Sequence, residues 1–150
     1  MSTRRQPRKT LRADAGALIE HCAGWNSRLA ARRITQFLDR ELGMSVARLG
    51  LMAQIAVMQD DTMGALAQRS GLDQSTLSRN LRTLENDGLI EIGVVETDLR
   101  RRAVWLTETG ARRLEAAIPL WRKAHARLAK HVSPDLARRL ADATESLAQD

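Results

Sequence analysis

The chain has 150 residues, 43% of them apolar, which excludes global disorder; 22 Ala and 21 Arg beside three Pro incline it to helices packed through Leu and Ala. The net charge of +6 permits a nucleic-acid partner without requiring one. One cysteine, Cys22, excludes an internal disulfide framework and a cysteine-based zinc site. No apolar run approaches the roughly 18 residues of a membrane span, and the N-terminus lacks the apolar stretch of a secretory signal, so the expected location is the cytoplasm.

Residues 1–12 hold Arg4, Arg5, Arg8, Lys9 and Arg12 with no acid and read as a flexible basic tail. From about Ala15 to Leu42 the pattern is helical, with Leu18, Cys22, Trp25 and Leu29 on one stripe and Ile34, Phe37, Leu38 and Leu42 continuing it. Gly43 ends that helix, and Ser45 caps the next, over 46–58, which is apolar on most sides and therefore buried. Asp60-Asp61-Thr62 is a break, with Thr62 capping a short helix over 63–70 that Gly71 stops. Asp73 caps a helix over 74–87, stopped by Gly88. The apolar period then changes from 3.6 to 2. Ile90, Ile92 and Val94 alternate, as do Val104 and Leu106, giving a hairpin with a charged tip from Glu96 to Arg101. Thr107 caps a long helix to about His131, with a kink expected before Pro119. Ser133-Pro134 opens a final helix carrying Leu136, Leu140 and Leu147.

The segment from Thr62 to Gly110 carries the chemistry. A tight helix-turn-helix needs a small residue where its helices cross and a glycine at the turn, and Ala67 and Gly71 supply them. The second helix buries Leu77, Leu81 and Leu84 and turns Gln74, Ser75, Thr76, Ser78, Arg79 and Arg82 outward. Arg can donate two bonds to guanine, Gln can pair with adenine, and Ser and Thr reach phosphates or base edges. The same composition also suits an ordinary solvated helix face. The hairpin that follows decides between them: Asp98-Leu99-Arg100-Arg101-Arg102 puts three arginines on a β-ribbon narrow enough to enter a minor groove, with Asp98 placed to pair with one of them.

These residues resemble the MarR-type winged helix-turn-helix regulators. The likeness runs from about Leu18 to Leu147 and rests on Leu66-Ala67, Gly71, Ser75-Thr76-Leu77-Ser78-Arg79, Leu81, Leu84 and Asp87-Gly88-Leu89-Ile90. The family's wing pattern is present as Asp98, Arg100 and Arg102, followed by Leu106, Thr107 and Gly110. The resemblance implies a mainly α fold with a small β-hairpin wing. Its segments are a tail (1–12), an N-terminal dimerisation helix (13–44), a DNA-binding module (45–110) and C-terminal dimerisation helices (111–150). It further implies a homodimer on a pseudo-palindromic operator in double-stranded DNA, acting as a repressor and released by a small molecule or an oxidant. Gln74, Ser75, Ser78, Arg79 and Arg82 would face the major groove, Arg100 the minor groove, and Arg101 and Arg102 phosphates.

Two signals are open to this family. Some of its members sense peroxide through a first-helix cysteine. Cys22 stands there, but the tyrosines that such sensors use are absent, as is a second cysteine, so a small buried interface residue is the alternative. Trp25, Arg28, Arg32 and Trp121 are candidate lining for an effector such as an aromatic acid, Arg offering a carboxylate partner, against ordinary core and surface roles. The basic tail suits an arm along the DNA backbone or a solubilising extension. An enzyme is not expected: His21, His125 and His131 contain no i, i+4 pair, and no phosphate loop or nucleophile elbow is present, so no metal or cofactor is foreseen. The competing class is a winged helix that binds proteins rather than DNA, for which zero net charge over residues 62–102 speaks.

Overall fold

The computed structural model describes residues 8–58 and 62–148, and at residues 98–100 and 148 the backbone alone. These divide into two compact units, one ending at Phe37 and the other beginning at Leu38.

The first unit holds α1 (Lys9–His21) and most of α2 (Ala23–Leu42). Two expectations are corrected here. The tail was expected to reach Arg12, yet Lys9–Arg12 are helical, in keeping with the helix propensity of Lys, Leu and Arg. Arg4 and Arg5 lie outside the described residues. The single helix expected from Ala15 to Leu42 breaks at Cys22, which is extended (φ −69°, ψ 109°). The Cys22 N–H donates to Leu18 O (2.8 Å) to close α1, and its carbonyl accepts from Asn26 N (3.0 Å) to open α2. Its Sγ accepts from Trp25 N (3.5 Å), as an N-cap side chain does, and Asn26 Nδ2 bonds Glu20 O (2.9 Å). This local capping set competes with one more helical turn and wins. No α1 residue is buried, and Leu11, Leu18 and Ile19 face outward.

In the second unit Leu38 and Leu42 are buried, and Gly43 (φ +65°) turns the chain. Asp39 Oδ1 accepts from Val46 N (2.7 Å), and Ser45 caps α3 (Val46–Val57). Thr62 caps α4 (Met63–Ser70); Asp60 and Asp61, expected to form the break before it, lie outside the described residues. Gly71 (φ +63°) makes the turn into α5 (Gln74–Asn86). Leu51, Met52 and Ile55 of α3 meet Leu66, Leu77, Leu81 and Leu84 in one core, closed by Leu89, Ile90 and Val104. Each such side chain contributes about 1.5–3 kcal/mol by leaving water, so this core fixes the α4–α5 pair.

The ribbon consists of β1 (Ile90–Val95) and β2 (Asp98–Leu106), antiparallel, with Ile90 opposite Leu106 and Ile92 opposite Val104. The charged tip expected over 96–101 shrinks to the turn Glu96-Thr97. Backbone pairing is blind to side-chain polarity, so the ladder continues past the last apolar pair. The register then jumps: Val94 faces Arg102 and Val95 faces Asp98, a local break in the ladder beside the arginine run. On its other edge β2 is bridged by Thr62 at Ala103.

Both feet of the ribbon meet at the start of α6 (Glu108–Leu128). Thr107 N donates to Leu89 O (3.1 Å), Thr107 Oγ1 donates to Gly88 O (2.6 Å), and Gly110 N donates to Thr107 Oγ1 (2.9 Å). A Cβ on Gly110 would stand 1.9 Å from Leu89 O, so only glycine permits this approach. Helix α6 passes through Pro119 and ends at Leu128, one turn before the expected His131. An ion pair between Arg127 and Glu41 ties its last turn to the end of α2. Helix α7 (Pro134–Ala143) starts as expected with proline at its first position, and a short 3₁₀ turn follows. None of α7 is buried, and Leu136, Leu140 and Leu147 are 62%, 49% and 68% exposed, so their apolar side is uncovered in a single chain. No helix among the described residues is long and apolar enough to cross a membrane.

Candidate nucleic-acid interface

Helix α5 presents the face that its leucine spacing requires. With Leu77, Leu81 and Leu84 inward, Gln74, Ser75, Ser78, Arg79 and Arg82 are exposed and Thr76 is half-buried. Asp73 does more than cap. Its Oδ1 accepts from Thr76 N (2.9 Å) and Ser75 Oγ (2.8 Å), and its Oδ2 accepts from Thr76 Oγ1 (2.7 Å). The Thr76 hydroxyl and amide, then the Ser75 hydroxyl, pull the Asp73 carboxyl from 3.8 down to about 2. Two hydroxyls expected to serve a ligand thus donate to Asp73 instead, and they fix the first turn of the helix. The remaining outward groups are one amide, one hydroxyl and two guanidiniums.

The turn before α5 is also held. Ser70 Oγ donates to Ala67 O (3.1 Å) and accepts from Leu72 N (3.3 Å), while Gln54 Nε2 of α3 donates to Arg69 O (3.2 Å). Sequence reasoning missed Gln54, because a contact over 15 positions leaves no periodic signal.

On the ribbon, Arg101 and Arg102 are exposed. They line an open hollow of about 440 Å³ together with Thr62, Met63 and Gly64, the first turn of α4. Both arginines thus border the start of α4, where Thr62 Oγ1 accepts from Ala65 N (3.3 Å). Asp98 and Arg100 take their places in β2 by backbone, and their side chains lie outside the described residues.

The five residues named for a signal are distributed over both units. Cys22, Trp25, Arg28 and Arg32 belong to the first. Cys22 is half-buried, and the Arg28 guanidinium stands 5.9 Å from the Trp25 ring centre. Trp121 belongs to the second unit, where its ring meets that of His125 at a 43° tilt (centroids 4.6 Å apart), and partial burial pushes the His125 pKa below 6.5. Trp121 also walls an apolar hollow of about 520 Å³ between α3 and α6, with Leu49, Ala53, Val57, Leu114 and Ile118. Its lining carries no charged side chain, so the carboxylate pairing expected of Arg28 and Arg32 has no counterpart in that wall.

A family model described as MarR family matches residues 42–101, from the end of α2 into β2. The crystal structure of the M. tuberculosis transcriptional regulator MosR in complex with DNA aligns with a TM-score of 0.76 at 32% identity, covering 86% of this chain and 98% of that one. The chain belongs to the MarR family. The Escherichia coli transcriptional regulator HosA is 38% identical over 69 residues, 39% of this chain and 51% of HosA. The HTH-type transcriptional regulator PetP of Rhodobacter capsulatus is 37% identical over 82 residues, 55% of this chain and 39% of PetP. The chain thus spans about half or less of the length of the curated relatives it matches. MosR, HosA and PetP are all transcriptional regulators by name, and the mainly helical fold with a two-stranded ribbon aligns with that of MosR.

Proposed function

We propose that this MarR-family chain is a sequence-specific DNA-binding transcriptional regulator. In this reading it is a homodimeric repressor on a pseudo-palindromic operator, released by a small-molecule or oxidant signal. The observation that carries the proposal is the pairing, in one module built on a shared core, of the outward α5 face with the exposed arginines Arg101 and Arg102. Gln74 is suited to adenine and Arg79 and Arg82 to guanine in the major groove. Arg100 suits the adjacent minor groove, and Arg101 and Arg102, beside the start of α4, suit backbone phosphates.

Dimerisation is supported by the uncovered apolar faces of α1 and α7. Two copies of α5 would then stand about one turn of DNA apart, roughly 34–36 Å. For the signal, α3 supports the reading: its Ala53 and Val57 line the apolar hollow, while Met52 and Ile55 hold the α4–α5 pair. A neutral aromatic compound in the hollow would press on the helix that supports the DNA-facing module.

The test is an electrophoretic mobility assay on the DNA upstream of the protein's own coding region, run beside light scattering. The expected outcome is retardation by a dimer, relieved by an aromatic ligand or by peroxide. A monomer indifferent to that DNA at low ionic strength would overturn the proposal.

A further inference from the structure

The outer face of the ribbon carries a feature that the DNA-facing residues do not use. Trp105 lies opposite Glu91 in the register, and its indole Nε1 donates to Glu91 Oε2 at 3.0 Å. The benzo edge of the same ring leans diagonally over Gly93. A Cβ built there would stand 2.7 Å from Cη2 and 3.2 Å from Cζ3. Gly93 is therefore glycine for close approach and not for backbone freedom: the indole occupies the volume that its side chain would fill. One side chain on β2 spans two residues of β1.

The place matters. On the inner face Ile90 and Val104 are buried and Ile92 and Leu106 pack on the core, but one step further Val94 is 53% exposed. Beyond the Gly93–Ala103 pair the ribbon has lost its core, and a two-stranded hairpin without a core is marginal in water. Arg101 and Arg102 directly precede Ala103 in β2, on its far side from the core. A glycine within a strand weakens the ladder further, and an aromatic ring laid across it from the neighbouring strand restores the pairing. We propose that Trp105, pinned by Glu91 and seated on Gly93, is a positioning residue that stiffens the distal ribbon and so presents its arginines pre-ordered to DNA. This rests on the DNA-binding reading above. Without the clamp, the ribbon would order only on binding, and that cost would be charged against affinity.

The test uses the whole 150-residue chain and two measurements. Amide hydrogen exchange on the free protein reports the ribbon, at Val94 and Val95, and the core, at Ile55, Leu81 and Leu84. Fluorescence anisotropy reports operator affinity and its salt dependence. The variants are Trp105→Ala, Trp105→Phe and Gly93→Ala, with Arg101→Ala/Arg102→Ala as the control. Gly93→Ala is the sharper case, since alanine alone should favour a strand and only the displaced indole makes it harmful. We expect Trp105→Ala and Gly93→Ala to speed ribbon exchange at least tenfold with core exchange unchanged. Operator binding should weaken about tenfold, the scale of ordering the backbone of about one residue, with an unaltered salt slope because the same phosphates are met in the complex. Trp105→Phe keeps a ring but loses the Glu91 bond and should fall between. The arginine control should lower affinity and flatten the slope with ribbon exchange unchanged.

Unchanged ribbon exchange in Gly93→Ala overturns the clamp. So does faster exchange with unchanged affinity while the arginine control binds weakly. If Trp105→Ala lost core protection as well, Gly93→Ala and Trp105→Phe would decide alone. A result in which the arginine control binds DNA as well as the parent would count against the DNA reading of the ribbon, and the exchange data would still judge the clamp.

Discussion

Gly110→Ala should be among the most damaging single methyl additions to this chain. The new Cβ would meet Leu89 O at 1.9 Å and Leu89 C at 2.8 Å, about 1.5 Å short of ordinary contact at 3.4 Å. The obstacle is backbone, so no rotamer change relieves it. Moving Leu89 away would stretch the Thr107 N–Leu89 O bond (3.1 Å) and the Thr107 Oγ1–Gly88 O bond (2.6 Å). Loss of each costs about 0.5–1.5 kcal/mol, and the displacement of a packed strand root adds about 1–3 kcal/mol. A total near 3 kcal/mol corresponds to a fall of roughly 6–12 °C in the melting midpoint at this chain length. Gly50→Ala is the internal control: it lies within α3 with nothing near its would-be Cβ, so alanine should stabilise by about 0.5–1 kcal/mol. Thermal unfolding followed by circular dichroism on the two variants reads both signs. A Gly110→Ala midpoint within about 1 °C of the parent would refute the close approach.

Leu84 is fully buried, and Leu84→Ala should cost about 3–5 kcal/mol, read as a lower urea midpoint with the slope retained. Asp73 supplies a pH signature. Its folded value is depressed, so its contribution is complete above about 3.8 and lost as pH falls towards about 2. A carboxyl carbon titration by NMR should find that low midpoint, and Asp73→Asn should remove this part of the acid dependence; a midpoint near 3.8 would deny the three-donor arrangement. Arg100→Ala should weaken operator binding with the dimer intact. For Arg101→Ala and Arg102→Ala, each lost phosphate contact should flatten the plot of log K against log salt by about 0.9.

Much of the module is legible in the sequence because its signals are local. Thr62, Asp73 and Thr107 each hold the cap position that their spacing from the following leucines implies, and Gly71 has the positive φ that the turn demands. The change of apolar period at Ile90 likewise marks the residue at which β1 begins. What escaped depends on partners that spacing does not reveal. The break at Cys22 relies on Asn26 reaching back to Glu20, and α1 begins inside a segment whose charge suggested a tail. The ribbon is longer than its apolar alternation because backbone pairing runs on into the charged residues 98–102, which carry no apolar period. At the candidate interface, Arg79 and Arg82 are outward as the helical period requires, but Ser75 and Thr76 already serve Asp73. The Trp105–Gly93 pairing needed the strand register, which no single-strand pattern supplies.

The knot of Gly88, Leu89, Thr107 and Gly110 has a mechanical consequence. Both strands leave the body through one small hydrogen-bonded joint, and α6 starts from that same joint. The first rungs of the ribbon are held besides by the core and by the Thr62–Ala103 bridge, so only the stretch beyond Gly93 and Ala103 is left to swing, and a shift of α6 reaches it through the joint and those rungs together.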